Sequence, residues 1–166
     1  MSAPAAIHAF LGQAHVPYTM LPHRPAFTAQ EEAAGLHVPG RDWAKVVVCL
    51  ADGRPIQAVL PAPLAVNLEQ LRALADASEI RFALESELRG LYPDCELGAM
   101  PPFGPLYGQR VFVDAALAAE PEIVFNAGTH RDAMRMRYAD FAAAARPIVG
   151  RFAERPAPRG AKRAGR

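Results

Sequence analysis

The sequence has few cysteines and no long apolar run. Its two cysteines, Cys49 and Cys95, form neither a Cys-x-x-Cys pair nor a metal-type pairing, and we expect both to pack as small apolar residues. No apolar run approaches the roughly 20 residues of a membrane-spanning helix. The N-terminus "MSAPAAIHAFLGQAH" lacks the basic start and apolar centre of a signal peptide. These absences favour a cytoplasmic protein with no membrane partner.

Familiar catalytic motifs are also missing. The sequence contains no Gly-x-Ser-x-Gly elbow, no Walker loop, no His-Glu-x-x-His and no Gly-x-Gly-x-x-Gly after a strand. The five histidines are not spaced as metal ligands, so we expect no metal and no cofactor. His23 and His130 remain candidates for function because each adjoins an unusual segment.

The charge is distributed unevenly along a chain of ordinary globular composition. With 166 residues, 51% of them hydrophobic, the chain fits one domain with a substantial core. The last 16 residues, "RFAERPAPRGAKRAGR", hold six Lys/Arg and one acid, which leaves 12 basic and 16 acidic residues for positions 1–150. We therefore predict one domain over residues 1–150 and a basic, disordered tail over residues 151–166. The tail would either touch phosphates or remain solvated without a partner.

Local patterns predict a fold in which strands and helices are mixed. "AKVVVCLAD" and "RPIQAVLPA" flank Asp52-Gly53, a strong hairpin signal. Thr28 followed by Glu31 indicates a capped helix start. The segment 4–15 places Ile7 and Leu11 on one helical face. Because the strands lack regular helical crossovers, we predict an α+β fold with a mixed, mainly antiparallel, barrel-like sheet surrounded by helices. Further strand candidates are "EIRFA", "QRVFVDAAL", "EIVFNAG" and "DAMRMRYAD"; further helices are "VNLEQLRALAD", "ESELRGLYP" and "YADFAAAAR".

Three segments are candidates for a catalytic or binding site. Lys45 opens the apolar strand "WAKVVVCL"; the ordinary interpretation is an exposed strand end. The loop "ELGAMPPFGPLYG" has two adjacent prolines and three glycines, which exclude a helix interior or a central strand. In "FNAGTH" a strand runs into Gly128, Thr129 and His130, which is also a common turn pattern.

Together and in this order, the segments resemble the YbaK-type aminoacyl-tRNA deacylase family. That family comprises free-standing editing proteins and the editing insertion of bacterial prolyl-tRNA synthetases. The resemblance covers about residues 5–150 and rests on four motifs. They are "HRPAFTAQEEA" from His23 to Ala33, Lys45, the Gly-x-x-x-Pro loop from Gly98 to Pro102, and the Gly-Thr-His turn from Gly128 to His130.

The resemblance implies a fold, a reaction and a set of site residues. The fold is the mixed sheet with surrounding helices, and the reaction is hydrolysis of the ester that joins a wrong amino acid to tRNA. Lys45 would engage the terminal adenosine or its phosphate, and the glycine-containing turn would close the aminoacyl pocket. The implied catalytic residues are Lys45, Gly98, Gly128, Thr129 and His130, with His130 as a wall or water-positioning group. The implied substrate-binding residues are His23, Thr28, Met100, Pro101, Pro102 and Phe103.

The chemistry of an aminoacyl ester explains why the implied site residues include no nucleophile. The ester is already activated, so a placed water and stabilisation of the oxyanion suffice. Backbone N–H groups can stabilise the oxyanion, and prolines would hold those groups in place. In the family the ribose 2′-hydroxyl also takes part.

We therefore predict a trans-editing hydrolase acting on the 3′ end of mischarged aminoacyl-tRNA that carries a small amino acid, with a proline tRNA left open as the carrier. An aminoacyl-tRNA synthetase is left open as a second partner. Two other functions also remain open. One is a non-catalytic module that binds aminoacyl-tRNA, a nucleotide or a synthetase through the same pocket, and the other is a deacylase of small acyl esters.

Overall fold

The computed structural model describes residues 3–22 and 28–158 and contains helices and strands in alternation. The helices are α1 (Ala3–Gln13), α2 (Ala29–Gly35), α3 (Leu68–Leu74), α4 (Glu85–Leu91), α5 (Ala115–Ala118) and α6 (Tyr138–Ala145). The strands are β1 (Thr19–Pro22), β2 (Ala44–Ala51), β3 (Arg54–Pro61), β4 (Ala65–Val66), β5 (Ile80–Phe82), β6 (Arg110–Asp114), β7 (Glu122–Asn126), β8 (Asp132–Arg137), β9 (Ile148–Gly150) and β10 (Ala153–Glu154).

The described strands form three sheets. The order in the largest is β5-β2-β3-β6-β9, a second has the order β1-β8-β7, and β10 pairs with β4. Only the β3–β6 and β6–β9 pairs are parallel, so the α+β prediction with a mixed, mainly antiparallel sheet is confirmed. The sheets do not close into a barrel. β5 and β9, each three residues long, remain the edges of the largest sheet, and one bridge between Trp43 and Val124 links that sheet to the second.

The β2–β3 hairpin fixes the position of Lys45. Asp52 and Gly53 both have positive φ, 50° and 78°, as the type I′ turn of a tight hairpin requires. The register that follows pairs Lys45 with Leu60. The hairpin predicted from Asp52-Gly53 is therefore confirmed, and Lys45 lies near the end of β2 that is far from the turn.

The main apolar core lies between α1, α6 and the two larger sheets. Ile7 and Leu11 are fully buried, which confirms the predicted face of α1. Three phenylalanines, Phe103, Phe125 and Phe141, pack together with ring centroids 5.4–6.3 Å apart. This packing fixes β7 relative to the loop that precedes β6, so the core holds the two segments that carry the candidate site.

The start of the predicted tail belongs to the domain. Phe152 is fully buried, and Asp114 Oδ1 accepts the N–H groups of Phe152 and Ala153, each at 2.8 Å. The predicted boundary at residue 150 is therefore wrong, because one buried aromatic side chain anchors a segment whose composition is otherwise that of a tail. Residues 159–166 lie outside the described part of the chain.

Asp114→Ala should lower the free energy of unfolding by about 2 kcal/mol. The substitution removes the acceptor of the two tail amides and of the Ala116 N–H at the start of α5. Urea unfolding followed by circular dichroism would measure it. Glu154→Ala, which breaks only an exposed bond from Asn67, is the control and should change stability by less than about 0.5 kcal/mol. Equal effects of the two substitutions would contradict this anchoring role.

Candidate active site

A hollow lies where the beginning of β2, helix α2, the loop before β6 and the end of β7 meet. It brings together three segments that lie far apart in the sequence, represented by Lys45, Gly98 and His130. The full lining is Ala29, Glu32, Trp43, Ala44, Lys45, Val46, Gly98, Met100, Asn126 and His130.

Two larger hollows flank the hairpin turn at Asp52 and Gly53. The charged side chains that line them, including Arg81 and Arg110, are exposed on the surface. Neither hollow has a buried charged side chain in its lining. The hollow beside Lys45 is smaller than either of these two. It combines Lys45, a partly desolvated cation, with the buried carboxylate of Glu32, and we therefore take it as the candidate site.

Lys45 is a half-buried cation. Within residues 3–22 and 28–158 its ammonium group has no ion pair and no hydrogen bond, and burial lowers the pKa of Lys45. A cation that has lost part of its water without gaining a carboxylate attracts an anionic ligand strongly. The geometry therefore suits a phosphate or a developing negative charge in the hollow.

The loop that contains Gly98 is joined to the Gly128 turn by backbone hydrogen bonds. The N–H of Glu96 donates to the Gly128 carbonyl at 2.8 Å, and the N–H of Gly128 donates to the Ala99 carbonyl at 2.9 Å. Gly98 and Gly128 have φ of 83° and 93°, values that favour glycine. The amides of Gly128 and Ala99 are thus occupied, Ala99 by the Glu96 carbonyl at 3.0 Å. In the described part of the chain the amides of Gly98 and Met100, two residues that line the hollow, have no acceptor.

A buried polar network supports the same loop from the opposite side. Gln57, fully buried in β3, donates through Nε2 to the Pro101 carbonyl at 3.0 Å and to the Tyr92 hydroxyl at 3.1 Å. The Tyr92 hydroxyl donates to Gln109 Oε1, and burial raises the pKa of Tyr92 to about 12. Because a buried amide is costly to leave unpaired, this network disfavours movement of the Pro101 carbonyl. Proline geometry and the Gln57 bond together hold the loop in place.

His130 connects the turn, the loop and helix α2. Its Nε2–H donates to the Leu97 carbonyl at 2.7 Å, since a carbonyl can only accept, and Nδ1 lies 2.6 Å from Glu32 Oε1. Burial alone would lower the pKa of His130, but the bonds to Glu32 and Leu97 outweigh it and the pKa is raised. The imidazolium form satisfies both contacts at once. His130 is therefore a cationic clamp, because both of its ring nitrogens are engaged.

Glu32 and Asn126 place a further acceptor in the lining. The Glu32 side chain is 1% exposed, and its Oε2 accepts from Asn126 Nδ2 at 2.6 Å. This bond fixes the orientation of the Asn126 amide, because a carboxylate accepts and the NH₂ group must face it. Asn126 Oδ1 is then left buried without a partner in the described part of the chain. An unpaired buried acceptor is costly unless a ligand donates to it.

Other predicted site residues do not line the hollow. Phe103 has no exposed surface and packs in the core, so its assignment to substrate binding is wrong; the neighbouring prolines turn its side chain inward. Pro101 and Pro102 are buried behind the lining. Thr28 caps α2, where its hydroxyl accepts the Glu31 N–H at 3.1 Å, which confirms the predicted helix start. His23 lies outside the described residues.

The Thr129 side chain is part of the turn. Its hydroxyl donates to Asp132 Oδ2 at 2.8 Å and accepts the N–H groups of Arg131 and Asp132. These bonds engage the hydroxyl within the turn, so its present geometry fits a structural role better than attack on a substrate. Among the residues predicted from the sequence, the hollow is lined by Lys45, Gly98, Met100 and His130.

Sequence reasoning missed Glu32, Asn126 and Gln57. Glu32 lies within the quoted helix motif, next to the capping Glu31, but its partner His130 is 98 positions away. Asn126 and Gln57 are the buried polar residues of the strands "EIVFN" and "RPIQAVLP", in which Glu122 and Arg54 are exposed. A lone amide in a buried strand is the signal that could have found them, because such a group needs a partner.

Two kinds of feature are not found in the described part of the chain. No group of three or more His, Cys, Asp or Glu side chains could hold a metal ion there. Nor is any of those helices both long and apolar enough to cross a bilayer.

Comparisons with known proteins agree with this geometry. The family model described as "Aminoacyl-tRNA editing domain" matches residues 23–144. Curated protein sequences give no match. A crystal structure of the "hypothetical protein APE2540" is similar with a TM-score of 0.81 and 20% identity, covering 90% of this chain and 99% of that one. A structure described as a "putative trans-editing enzyme for prolyl tRNA synthetase" has a TM-score of 0.78 and 21% identity, covering 93% and 98%. Since the family model spans most of the chain, the protein belongs to the aminoacyl-tRNA editing domain family.

Proposed function

We propose that the protein is a trans-editing hydrolase that removes the amino acid from mischarged aminoacyl-tRNA. The observation that carries the proposal is the single hollow that combines Lys45 with the unpaired amides of Gly98 and Met100, in a chain of the editing family. A phosphate near the 3′ end of tRNA supplies the anion for Lys45, and the ester carbonyl supplies the oxygen for the amides.

Hydrolysis in this hollow needs one placed water. The water oxygen bonds to the ester carbonyl carbon, and the carbonyl oxygen becomes an oxyanion that the amides of Gly98 and Met100 stabilise. The bond from that carbon to the ribose oxygen then breaks, and a proton from the attacking water ends on the ribose oxygen. The products are the free amino acid and uncharged tRNA. No side-chain nucleophile is required because the ester is already activated.

The polar side of the hollow suits the ribose beside the ester. Asn126 Oδ1 can accept a proton donor there, and the 2′-hydroxyl is a neutral donor next to the reacting carbon. A neutral donor fits better than the α-ammonium group of the amino acid, because Lys45 and protonated His130 already supply positive charge. In this arrangement His130 is a wall of the site and holds the loop, since both ring nitrogens are engaged.

The substrate is proposed to carry a small amino acid, because Met100 limits the space on the apolar side of the hollow. The description of one structural neighbour supports a proline tRNA and an association with a prolyl-tRNA synthetase. The location of the protein would then be the cytoplasm, where aminoacyl-tRNA is used.

Purified protein should release amino acid from at least one member of a panel of mischarged tRNAs at a rate well above spontaneous hydrolysis. Release of radiolabelled amino acid would be followed, with correctly charged tRNA as the control. If folded protein leaves the entire panel untouched, the proposed activity is wrong. Tight binding of the 3′ end without turnover would instead identify a non-catalytic binding module.

A further inference from the structure

Met100 lies between the candidate site and a second hollow. The second hollow is lined by Leu88, Arg89, Tyr92, Cys95, Glu96, Leu97 and Met100, and it opens to the surface beside the exposed Arg89, Glu96 and Leu97. Met100 is the one described residue that lines both hollows, and it is 5% exposed. Its side chain therefore separates two spaces.

The candidate site has an apolar side and a polar side. Glu32, Asn126 and His130, joined by hydrogen bonds, form the polar side, whereas Val46 and Met100, which share one apolar cluster, form the apolar side. An amino-acid side chain without polar atoms is most favourably placed against the apolar side. This side is backed by the apolar cluster of Val48, Tyr92 and Met100, against which Val46, Leu88 and Cys95 pack. Leu88, Tyr92 and Cys95 of that cluster also line the second hollow.

We propose that Met100 sets the largest amino-acid side chain that the site accepts, by closing the candidate site off from the second hollow. The inference rests on the proposed function and adds the residue that determines its specificity. The number of atoms that a Met100→Ala substitution removes equals the number by which a leucyl side chain exceeds an alanyl side chain. Truncating Met100 to alanine removes Cγ, Sδ and Cε, and a leucyl side chain exceeds an alanyl side chain by Cγ, Cδ1 and Cδ2. The space released is thus of the size that a leucyl group needs.

The experiment compares alanyl and leucyl esters of one short acceptor-stem RNA. The wild-type protein should have the higher kcat/KM for the alanyl ester. Met100→Ala should raise the ratio of leucyl to alanyl kcat/KM by at least about 10-fold, since single methylenes change such selectivity by about 10–200-fold. Met100→Val, which removes less volume, should give an intermediate ratio and serves if the alanine variant does not fold.

A second substitution tests the route into the second hollow. Leu88 lines the second hollow but not the candidate site. Leu88→Phe alone should leave the ratio at its wild-type value. Combined with Met100→Ala it should refill the space and return the ratio to within about threefold of wild type, because the phenyl ring would occupy the space that the leucyl group needs.

The outcomes separate this inference from the proposed function. If the wild-type protein hydrolyses neither ester nor any other mischarged RNA, the proposed function is wrong, and so is the inference about Met100. If it hydrolyses the alanyl ester but both Met100 variants keep the wild-type ratio, the inference alone is wrong. A raised ratio that Leu88→Phe does not reverse would also overturn it, because the added side chain would then lie elsewhere.

Discussion

Replacing Lys45 with alanine should lower kcat/KM for deacylation of a mischarged acceptor-stem RNA by about 10²–10³-fold, the usual effect of removing one group that stabilises transition-state charge. Lys45 is the cation of the hollow that has no partner in the described part of the chain. Single-turnover release of labelled amino acid would measure the change. Because no protein carboxylate depends on this lysine there, the fold should survive its removal.

Two further variants sharpen this prediction. Lys45→Met keeps the apolar stem and loses the charge, so its activity should fall as far as that of the alanine variant. Arg54→Ala removes an exposed cation at the other end of the same hairpin and should keep activity within about threefold. Full activity in Lys45→Met would contradict a charge-based role for Lys45.

Replacing His130 with alanine should lower the free energy of unfolding by about 2–4 kcal/mol near pH 6, since it breaks two hydrogen bonds and leaves the Glu32 carboxylate buried without its cationic partner. The folded protein holds the His130 proton more tightly than the unfolded chain does, because the pKa is raised from 6.5. That stabilisation is present in full below about pH 6.5 and is lost as the pH rises through the raised pKa. The difference between wild type and variant should therefore shrink as the pH rises to 9.

Urea unfolding of both proteins from pH 5.5 to pH 9 would test this dependence. His15→Asn changes an exposed histidine outside the hollow whose positive φ asparagine tolerates. This control should stay within about 0.5 kcal/mol of wild type throughout. A His130→Ala effect that is constant with pH would show that the histidine contributes packing rather than a proton-dependent clamp.

Much of the fold follows from local patterns in the sequence. The hairpin was predictable because Asp52-Gly53 both adopt positive φ, a demand that few residue pairs meet. The burial of Met134 and Met136 follows from alternation along β8. By contrast, Tyr138 begins α6 and does not extend the strand, since element ends depend on tertiary packing. Local sequence patterns also could not show whether the sheet closes into a barrel, because closure depends on whether the edge strands pair with other strands.

The candidate site was predictable only in part. Lys45, Gly98 and His130 stood out because a cation, a flexible residue and a histidine are unusual in their segments. The pairings that hold the site, Glu32 with His130 and Gln57 with Pro101, could not be derived, since 98 and 44 positions separate the partners. Such pairings are made by the fold, and a single sequence does not specify them.

In the proposed reaction, water held in the hollow cleaves the ester without forming an acylated enzyme. Cys95 is the described thiol nearest to the loop in sequence, and burial raises its pKa to about 11, which disfavours the nucleophilic thiolate. The direct test uses excess enzyme with an alanyl acceptor-stem RNA, acid quenching within the first turnover, and intact-protein mass spectrometry. We expect no protein species heavier by an alanyl group, and we expect Cys95→Ala to keep activity within about threefold of wild type. An alanyl-protein adduct that forms and decays at the catalytic rate would contradict the proposed reaction.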